Sequence, residues 1–524
     1  MPVPEREAAS SGVRLSELVA VLSLSADLGL GQPMEHVLRS CLIAVRFGER
    51  VGLSVDQLST AYWVTLLGMV CTSESAPLVK MFGDDIAFRS AAYEVKPTPL
   101  AELAFLVGRA GQGGSAVHRV RTAAGLLLTR GKELEASLAA HCHITGEVAR
   151  RLGLAPDVSA ALQHTFARWD GRGVPHGVAG SAIAKPAQLL QLADGVEVHH
   201  RIRGVSGALQ VVQRNAGRQF DPGLVVAFSR SGAEILDSVG GETTWDDLIA
   251  AEPQSRGVLT DAEFDDALEV LADISDLKSP WFGGHSRGVA ALATAAAAAS
   301  GLSQRDITTL RRAALLHDIG RTGVPNSLWD KPAPLSTSEI ERVRLHAYYT
   351  ERMLRRPPAL AGLATIASAG HERMDGSGYH RSISGSGLPI LGRYLAAADA
   401  YHAMREERPY RPALAAAQAA AELRKEVRTG GLDAAAADAV LTAAGHFGSR
   451  RVSAPAGLTP RELEVLIVVA RGATTRQVAR RLGITPKTAG NHIERIYSKI
   501  SVSSRSAATL YAMQHGMLQT LEPL

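Results

Sequence analysis

From Asp261 onward, apolar residues recur at helical spacing, and segment after segment reads as an amphipathic helix. The pattern predicts helices over Phe264–Leu277, Ile307–Leu316 and Ala361–Ser368, and an apolar run over Leu395–Ala398. Near the C-terminus the start signals become explicit. Thr459-Pro460-Arg461-Glu462 is a capping box with Pro at the first helical position. Leu463, Leu466, Ile467 and Ala470 then share one face, and Gly472 stops the helix. Thr474 to Gln477 opens a second helix carrying Val478, Ala479 and Leu482. Gly483-Ile484-Thr485 turns the chain, and Pro486 begins a third helix with Ala489, Ile493, Ile496 and Ile500 on its inner face.

Composition agrees with a helical reading. Aromatics are 5% of the 524 residues, and alanine runs such as Ala295–Ala299 and Ala434–Ala437 recur. Alanine loses no side-chain entropy in a helix, whereas strands favour branched and aromatic residues. The expected fold is therefore all-α. Cys41, Cys71 and Cys142 form no CxxC pair and cannot build a disulfide framework. The acidic N-terminus lacks a signal-peptide pattern, and the apolar stretches Ala61–Cys71 and Leu100–Gly108 are too short to span a bilayer. A reduced, cytoplasmic protein with no membrane contact is expected.

Charge sharpens the picture. The whole chain carries +4, yet Gly457–Leu524 alone holds nine basic and four acidic residues. A near-neutral body thus bears a small basic domain, which suggests a polyanionic partner. The third helix of that domain turns Lys487, Thr488, Asn491, Arg495 and Lys499 away from its apolar face. A helix fits the DNA major groove, where such donors reach base edges and phosphates. These residues, with Gln477-Val-Ala-Arg-Arg-Leu and Val502-Ser-Ser-Arg505, resemble the LuxR-type helix-turn-helix domain over all 68 residues. The resemblance implies that Lys487, Thr488, Asn491 and Arg495 face the groove, with Lys499 and Arg505 near phosphates. Gly490 departs from the family by replacing a larger residue inside the recognition helix.

The middle of the chain spaces imidazoles and carboxylates along its helices: His285, His317, Asp318, His346, His371 and Asp399. Such a set suits a metal site inside a helical bundle, since a carboxylate bridges two cations while an imidazole holds one. The loop Asp375-Gly376-Ser-Gly378-Tyr379 is glycine-rich and suits close approach to a phosphate, as do the guanidinium groups of Arg408 and Arg411. Residues from about Trp281 to Phe447 resemble an HD-GYP domain, a branch of the HD phosphohydrolases. The match runs through His285-Ser-Arg-Gly-Val, His317-Asp318-Ile-Gly-Arg321, His346, His371-Glu-Arg, Asp375 to Tyr379, Asp399 and Arg408-Pro-Tyr-Arg411.

That resemblance implies hydrolysis of a cyclic di-GMP phosphodiester at a centre of two or three metals, often iron or manganese. His285, His317, Asp318 and Asp399 would hold one cation. Asp318 would bridge to a second held by His346 and His371, and His317, Asp318 and Arg321 would be the catalytic set. Three departures stand out. The family's first His of a His-His pair is Gly370, its Lys after the His-Asp is Arg321, and its Gly-Tyr-Pro is Gly378-Tyr379-His380. Arg321 stays charged but cannot serve as a proton donor. His380 is a candidate replacement ligand.

The N-terminal half is an imperfect copy of the same pattern. Asp170 and Asp375, Asp194 and Asp399, and His141 and His346 all pair at an offset of 205, whereas His36 and His285 pair at 249. About 44 extra residues therefore lie between Cys71 and His141 in the first copy. The second copy's His317 and Asp318 fall on Gly68 and Met69, and His371 falls on Phe166, so the first copy lacks the bridging carboxylate. The expected domains are a degenerate HD-like repeat (1–242), a helical connector (243–278), an HD-GYP-like domain (279–448), a linker (449–456) and the DNA-binding domain (457–524).

The chain thus reads as a transcriptional regulator. Its expected partners are double-stranded DNA, a cyclic dinucleotide, a divalent metal and a second copy of itself. Two alternatives stay open for the second repeat: a catalytically inactive sensor, or a hydrolase of another phosphate ester.

Overall fold

The computed structural model describes residues 10–70, 75–96, 98–129, 131–239, 244–445 and 455–518. Cys71 and residues 449–454 of the expected linker lie outside the described residues. The chain is helical, with two short strands, Ser10–Arg14 and Val258–Thr260, paired antiparallel. Among the described residues no helix is long and apolar enough to cross a membrane. Cys41 and Cys142 are buried free thiols.

The chain divides into two compact units, the first built mainly from residues 1–71 and 80–270, the second mainly from 271–355 and 360–524. In the first, the helices His36–Arg50, Val55–Leu67 and Lys185–Arg214 pack on one another. Ser54 starts the second of these through a reciprocal cap with Gln57. The extra residues predicted in this copy form four helices, Ser75–Phe82, Asp85–Ala92, Pro99–Arg109 and Ala116–Thr129.

In the second unit, the helix His285–Ala299 packs against Gln304–Leu316, Ile390–Arg405 and Ala434–Gly445. Its inner face is largely alanine (Ala290, Ala293, Ala296 and Ala297 are all buried). Small side chains let neighbouring helices approach closely, so the polar ends of those helices converge. The C-terminal turn of Asp261–Asp276, read from sequence as connector, is built into this unit. Asp276 accepts hydrogen bonds from the Ser286 backbone N–H (2.9 Å) and hydroxyl (2.7 Å), and Asp273 pairs with Arg287.

The basic domain follows its sequence signals closely. Helices span Pro460–Ala470, Thr475–Arg481, Pro486–Lys499 and Arg505–Gln514, and the first two open on Thr459/Glu462 and Thr474/Gln477 capping boxes. The first helix is buried on more of its circumference than one stripe, since Val465, Val468 and Val469 are buried as well. Leu463 and Ile493, expected in the core, are half-buried.

Candidate metal centre and nucleic-acid interface

The second repeat gathers its six predicted ligands from five helix ends or helix faces. His285 is the first residue of its helix, after Gly284 in a left-handed conformation (φ +79°). His317 caps the C-terminus of Gln304–Leu316, and Asp318 follows at the corner. Three bonds stitch this corner in place. The Thr350 hydroxyl donates to the His317 carbonyl (3.1 Å) and accepts from the Gly320 N–H (3.0 Å), and the Ser275 hydroxyl donates to the Asp318 carbonyl (2.9 Å). A Cβ on Gly320 would lie 2.1 Å from the His346 carbonyl oxygen, so only glycine fits there. His346 sits within Thr337–Leu354, His371 ends a short 3-10 turn, and Asp399 lies within Ile390–Arg405.

All six side chains are buried, and they form two groups that share Asp318. His285, His317, Asp318 and Asp399 converge as one set, and Asp318, His346 and His371 as another. In the first, Asp318 Oδ2 is 2.8 Å from His317 Nε2 and 3.4 Å from His285 Nε2, and Asp399 Oδ1 is 3.2 Å from His285 Nε2. In the second, Asp318 Oδ1 is 3.3 Å from His346 Nε2 and 3.1 Å from His371 Nε2, and those two nitrogens are 2.9 Å apart.

The outer nitrogens explain why the inner ones converge. His317 Nδ1 faces the Ala314 carbonyl (2.7 Å), His346 Nδ1 the Val343 carbonyl (2.5 Å) and His285 Nδ1 the Glu406 carboxylate (2.9 Å). Each acceptor requires a proton on Nδ1 and so leaves Nε2 for a cation, the usual arrangement behind metal-ligating imidazoles. His285 Nε2 and His317 Nε2 are buried without a hydrogen-bond partner. Buried polar atoms are rarely left so, and a bound ion is one of the few explanations. The donor set of imidazole and carboxylate suits a divalent transition metal.

The electrostatics run the same way. Burial alone would neutralise His285, but Glu406, Asp318 and Asp399 raise it well above the ordinary histidine range. Against burial, Asp318 and Asp399 hold His317 up at about 9. Asp318 stays well below the usual carboxylate range despite burial, because Arg321 and His317 face it. His371 is lowered to about 4 by burial and by His346, so it is a neutral donor at pH 7. The cluster draws in positive charge, and a divalent cation would displace the protons that now supply it.

Arg321 touches Asp318 Oδ2 directly and stacks on Phe282, its guanidinium carbon 4.1 Å from the ring centroid. The loop after His371 turns mostly inward. Asp375 caps its own turn through Ser377 (2.9 and 2.6 Å), and Gly376 takes a left-handed conformation. A Cβ on Gly378 would lie 2.4 Å from Arg373 N and Glu372 Cα, so this glycine permits a close backbone crossing. Tyr379 stacks on His371 at 5.3 Å and is the loop residue nearest the cluster.

Arg408 is spent on the Trp281 carbonyl (2.6 Å) and on Glu406 (2.6 Å). The Arg411 guanidinium donates to the Ala403, Met404, Glu406 and Pro412 carbonyls. Both therefore build the scaffold in this conformation. His380, the candidate replacement ligand, points away from the cluster and pairs with buried Glu351 (2.9 Å).

Two supporting carboxylates, Glu406 and Asp276, lie outside the quoted motifs, and a third, Glu372, stands in the His371-Glu-Arg motif with no role assigned to it there. Glu406 orients His285, and Glu372 closes the loop by accepting from the Arg381 and Ile383 N–H groups. Asp276 had a signal, since it pairs with Asp27 at the 249 offset. Asp27 accepts from the Val37 N–H at 2.9 Å, as Asp276 does from the Ser286 N–H at 2.9 Å.

The first repeat balances its carboxylates with an imidazole and a guanidinium. His36 lies 3.0 Å from Asp194 and 2.5 Å from Glu197, and Arg39 bonds Glu197 at 2.7 Å. Tyr93, from the extra helices, donates to Asp194 (3.0 Å). His141 Nε2 meets the Gly68 carbonyl (2.7 Å), where the second copy offers His317 and Asp318. Among the described residues no metal-type cluster forms in this repeat.

In the basic domain, Lys487, Thr488, Asn491 and Arg495 are exposed along the third helix. Thr488 also bonds the Thr485 cap. Lys499 pairs internally with Glu462 (2.7 Å), and Arg505 donates to the Gly472 carbonyl (3.1 Å).

An HD-domain model covers residues 269–436, and the bacterial regulatory protein luxR family covers 456–512. The 3'3'-cGAMP-specific phosphodiesterase 3 of Vibrio cholerae is 31% identical over 420 residues, 79% of this chain and 91% of that protein. The chain belongs to the HD-GYP branch of the HD-domain family. A crystal structure of a cyclic GMP-AMP specific phosphodiesterase from V. cholerae superposes with a TM-score of 0.58 at 28% identity, covering 83% of this chain and 98% of that one. A cyclic di-GMP phosphodiesterase of Thermotoga maritima is 36% identical over 148 residues, 28% of this chain and 40% of that protein. This HD-GYP chain adds a luxR-type domain, which implies DNA binding, so it is a DNA-binding regulator with an HD nucleotide-hydrolase-like module.

Proposed function

We propose that the second repeat is a metal-dependent phosphodiesterase acting on a cyclic dinucleotide, and that the protein couples this chemistry to transcription. The observation that carries the reading is the pair of buried ligand groups sharing Asp318, with His285 Nε2 and His317 Nε2 left without a hydrogen-bond partner. Its relatives' names, for 3'3'-cGAMP and cyclic di-GMP phosphodiesterases, supply the substrate class. His285, His317, Asp318 and Asp399 hold one cation, and Asp318, His346 and His371 the other; iron and manganese suit these donors. When bound, such cations neutralise phosphate charge and lower the pKa of coordinated water. Asp318 and Asp399 stay ionised and His371 stays neutral, whereas His285 and His317 must each give up a proton to ligate at pH 7. Tyr379, stacked on His371, borders the substrate phosphate, and Asp375, Gly376 and Gly378 shape the loop that carries it.

Two observations favour a second reading, a metal-binding sensor without turnover. Gly370 removes a potential ligand, and Arg321 already places a cation on Asp318. Metal analysis and a hydrolysis assay separate the two. Manganese- or iron-loaded protein should open 3'3'-cGAMP or cyclic di-GMP to the linear dinucleotide, and His317→Ala with Asp318→Ala should abolish it. Bound metal without turnover selects the sensor. Neither metal nor turnover overturns both.

For the DNA-binding domain, Lys487, Asn491 and Arg495 are the proposed groove contacts, with Thr488 at the helix start. Duplex binding should weaken steeply with salt. Replacing Lys487 and Arg495 with Ala should lower affinity and reduce the log–log salt slope by about one for each phosphate that is no longer neutralised. Unchanged affinity together with an unchanged slope would remove both residues from the interface.

A further inference from the structure

The helix that supplies Asp399 ends at Arg405 and runs directly into Glu406 and Glu407, two adjacent carboxylates that face different partners. Glu406 orients the ligand His285 through Nδ1 (2.9 Å) and is itself held by Arg408 (2.6 Å) and His402 (3.2 Å). His285, His402 and Glu406 are close enough to suggest a further metal site. The Arg408 guanidinium on Glu406 already fills that role, so the group serves to orient His285.

Glu407 faces the DNA-binding domain. Both its oxygens meet Arg481 Nη2, at 2.5 and 2.7 Å, and Arg481 is the last residue of the helix preceding the recognition helix. Arg471, at the end of the domain's first helix, lies in the field of both Glu406 and Glu407.

A second contact lies next to His285 in the chain. Gly283 and Gly284 immediately precede His285. A Cβ on Gly283 would lie 3.1 Å from Leu518, and one on Gly284 would lie 3.0 Å from it. A Cβ on Gly472 would lie 2.7 Å from Pro280. Leu518 and Thr509 are 7% exposed, so this is a packed contact. Of the four ligands of the first cation group, His285 therefore follows directly on the Gly283–Gly284 contact, and Asp399 lies on the helix that runs into Glu406–Glu407. The reading residues Lys487, Asn491 and Arg495 remain exposed.

We propose that Glu406–Glu407 and Gly283–Gly284 form a joint through which occupation of the metal centre and docking of the DNA-binding domain reinforce each other. The proposal rests on the reading of His285 and Asp399 as metal ligands. In the docked conformation His285 Nε2 and Asp399 Oδ1 already converge, 3.2 Å apart, so this conformation is preorganised for a cation. A ligand that favours one of two states stabilises that state, and the coupling is reciprocal. Metal should tighten docking, and a broken joint should weaken metal binding. Glu406 acts here as a positioning residue, and Glu407 as the tether.

The test uses full-length protein and Mn²⁺ as the probe, with affinity read by calorimetry and docking by hydrogen exchange over residues 475–514. In the wild type, Mn²⁺ should slow exchange in that segment. Arg481→Glu should accelerate exchange and weaken Mn²⁺ binding about fivefold or more, the lower range of measured allosteric couplings. The charge swap Arg481→Glu with Glu407→Arg should restore both, and the milder Arg481→Gln should fall between, which separates a lost tether from a misfolded domain. If the wild type binds Mn²⁺ while Arg481→Glu binds it equally and exchange ignores the metal, the joint is overturned alone. If the wild type binds no Mn²⁺, the metal reading fails and takes the joint with it.

Discussion

Asp318→Asn should empty both cation positions at once, whereas His346→Ala should empty one. Asp318 presents Oδ2 to the His285–His317–Asp399 group and Oδ1 to the His346–His371 group. Asparagine preserves the shape but removes the charge, and it turns one oxygen into an N–H₂ donor aimed at a cation. The second group is otherwise two imidazoles, and the Asp399 carboxylate lies 3.5 Å from His371 Nδ1 rather than among its ligand atoms. The second group's affinity should therefore fall by more than the ~10–100-fold typical of losing an outer-shell partner. Metal content per chain after manganese loading should drop from two to none in Asp318→Asn and to one in His346→Ala. Two metals retained by Asp318→Asn would refute the shared carboxylate.

In the first repeat, Glu197→Gln should destabilise the fold at neutral pH and flatten its response to alkali. Burial would make His36 neutral, but Asp194 and Glu197 raise its pKa to about 10 from an ordinary 6.5. Protonated His36 is thus a built-in cation at the place where the second repeat has a cluster that could hold a metal. A raised pKa means that the folded state holds the proton more tightly. The stabilisation is complete below pH 6.5 and disappears as pH rises through about 10. Asp27 adds a slope of the same sign at lower pH. Burial raises it to about 7, so the fold favours its neutral form and loses stability between pH 3.8 and 7. Removing one partner of a buried ion pair typically costs about 3–5 kcal/mol. Urea titrations at several pH values, read by hydrogen exchange in the helix His36–Arg50, would measure both effects. A wild-type stability that does not fall between pH 7 and 10 would show that His36 is neutral in the fold.

The internal repeat extends beyond the six ligands. Applied to Asp27, the 249 offset leads to Asp276, and both turn out to bond the second N–H of the helix that begins with His36 or His285. Applied to His402, the 205 offset leads to Glu197, so an imidazole in one copy is a carboxylate in the other. That exchange accompanies Gly288 becoming Arg39. A Cβ on Gly288 would lie 2.0 Å from His402, while Arg39 reaches Glu197 to form a salt bridge. The worn copy is a compensated one, with a proton and a guanidinium balancing the carboxylates.

What the sequence determined by itself was local or periodic: the helices, their caps, the basic third helix, the repeated motif and the six ligand candidates. Those signals depend on residues three or four apart, or on a motif repeated at a constant offset, and a linear reading exposes them. Tertiary structure decided what depends on direction. It turned Arg408 and Arg411 onto backbone carbonyls and Glu406, and His380 onto Glu351. It placed Gly378 and Gly320 at backbone crossings too close for a Cβ. It also set Glu406 behind His285, 121 residues away along the chain, and Glu407 against Arg481, 74 residues away. A side chain's chemistry is written in its type, but whether its lone pairs face a cation, a carbonyl or another domain is set by long-range packing, which no local pattern encodes.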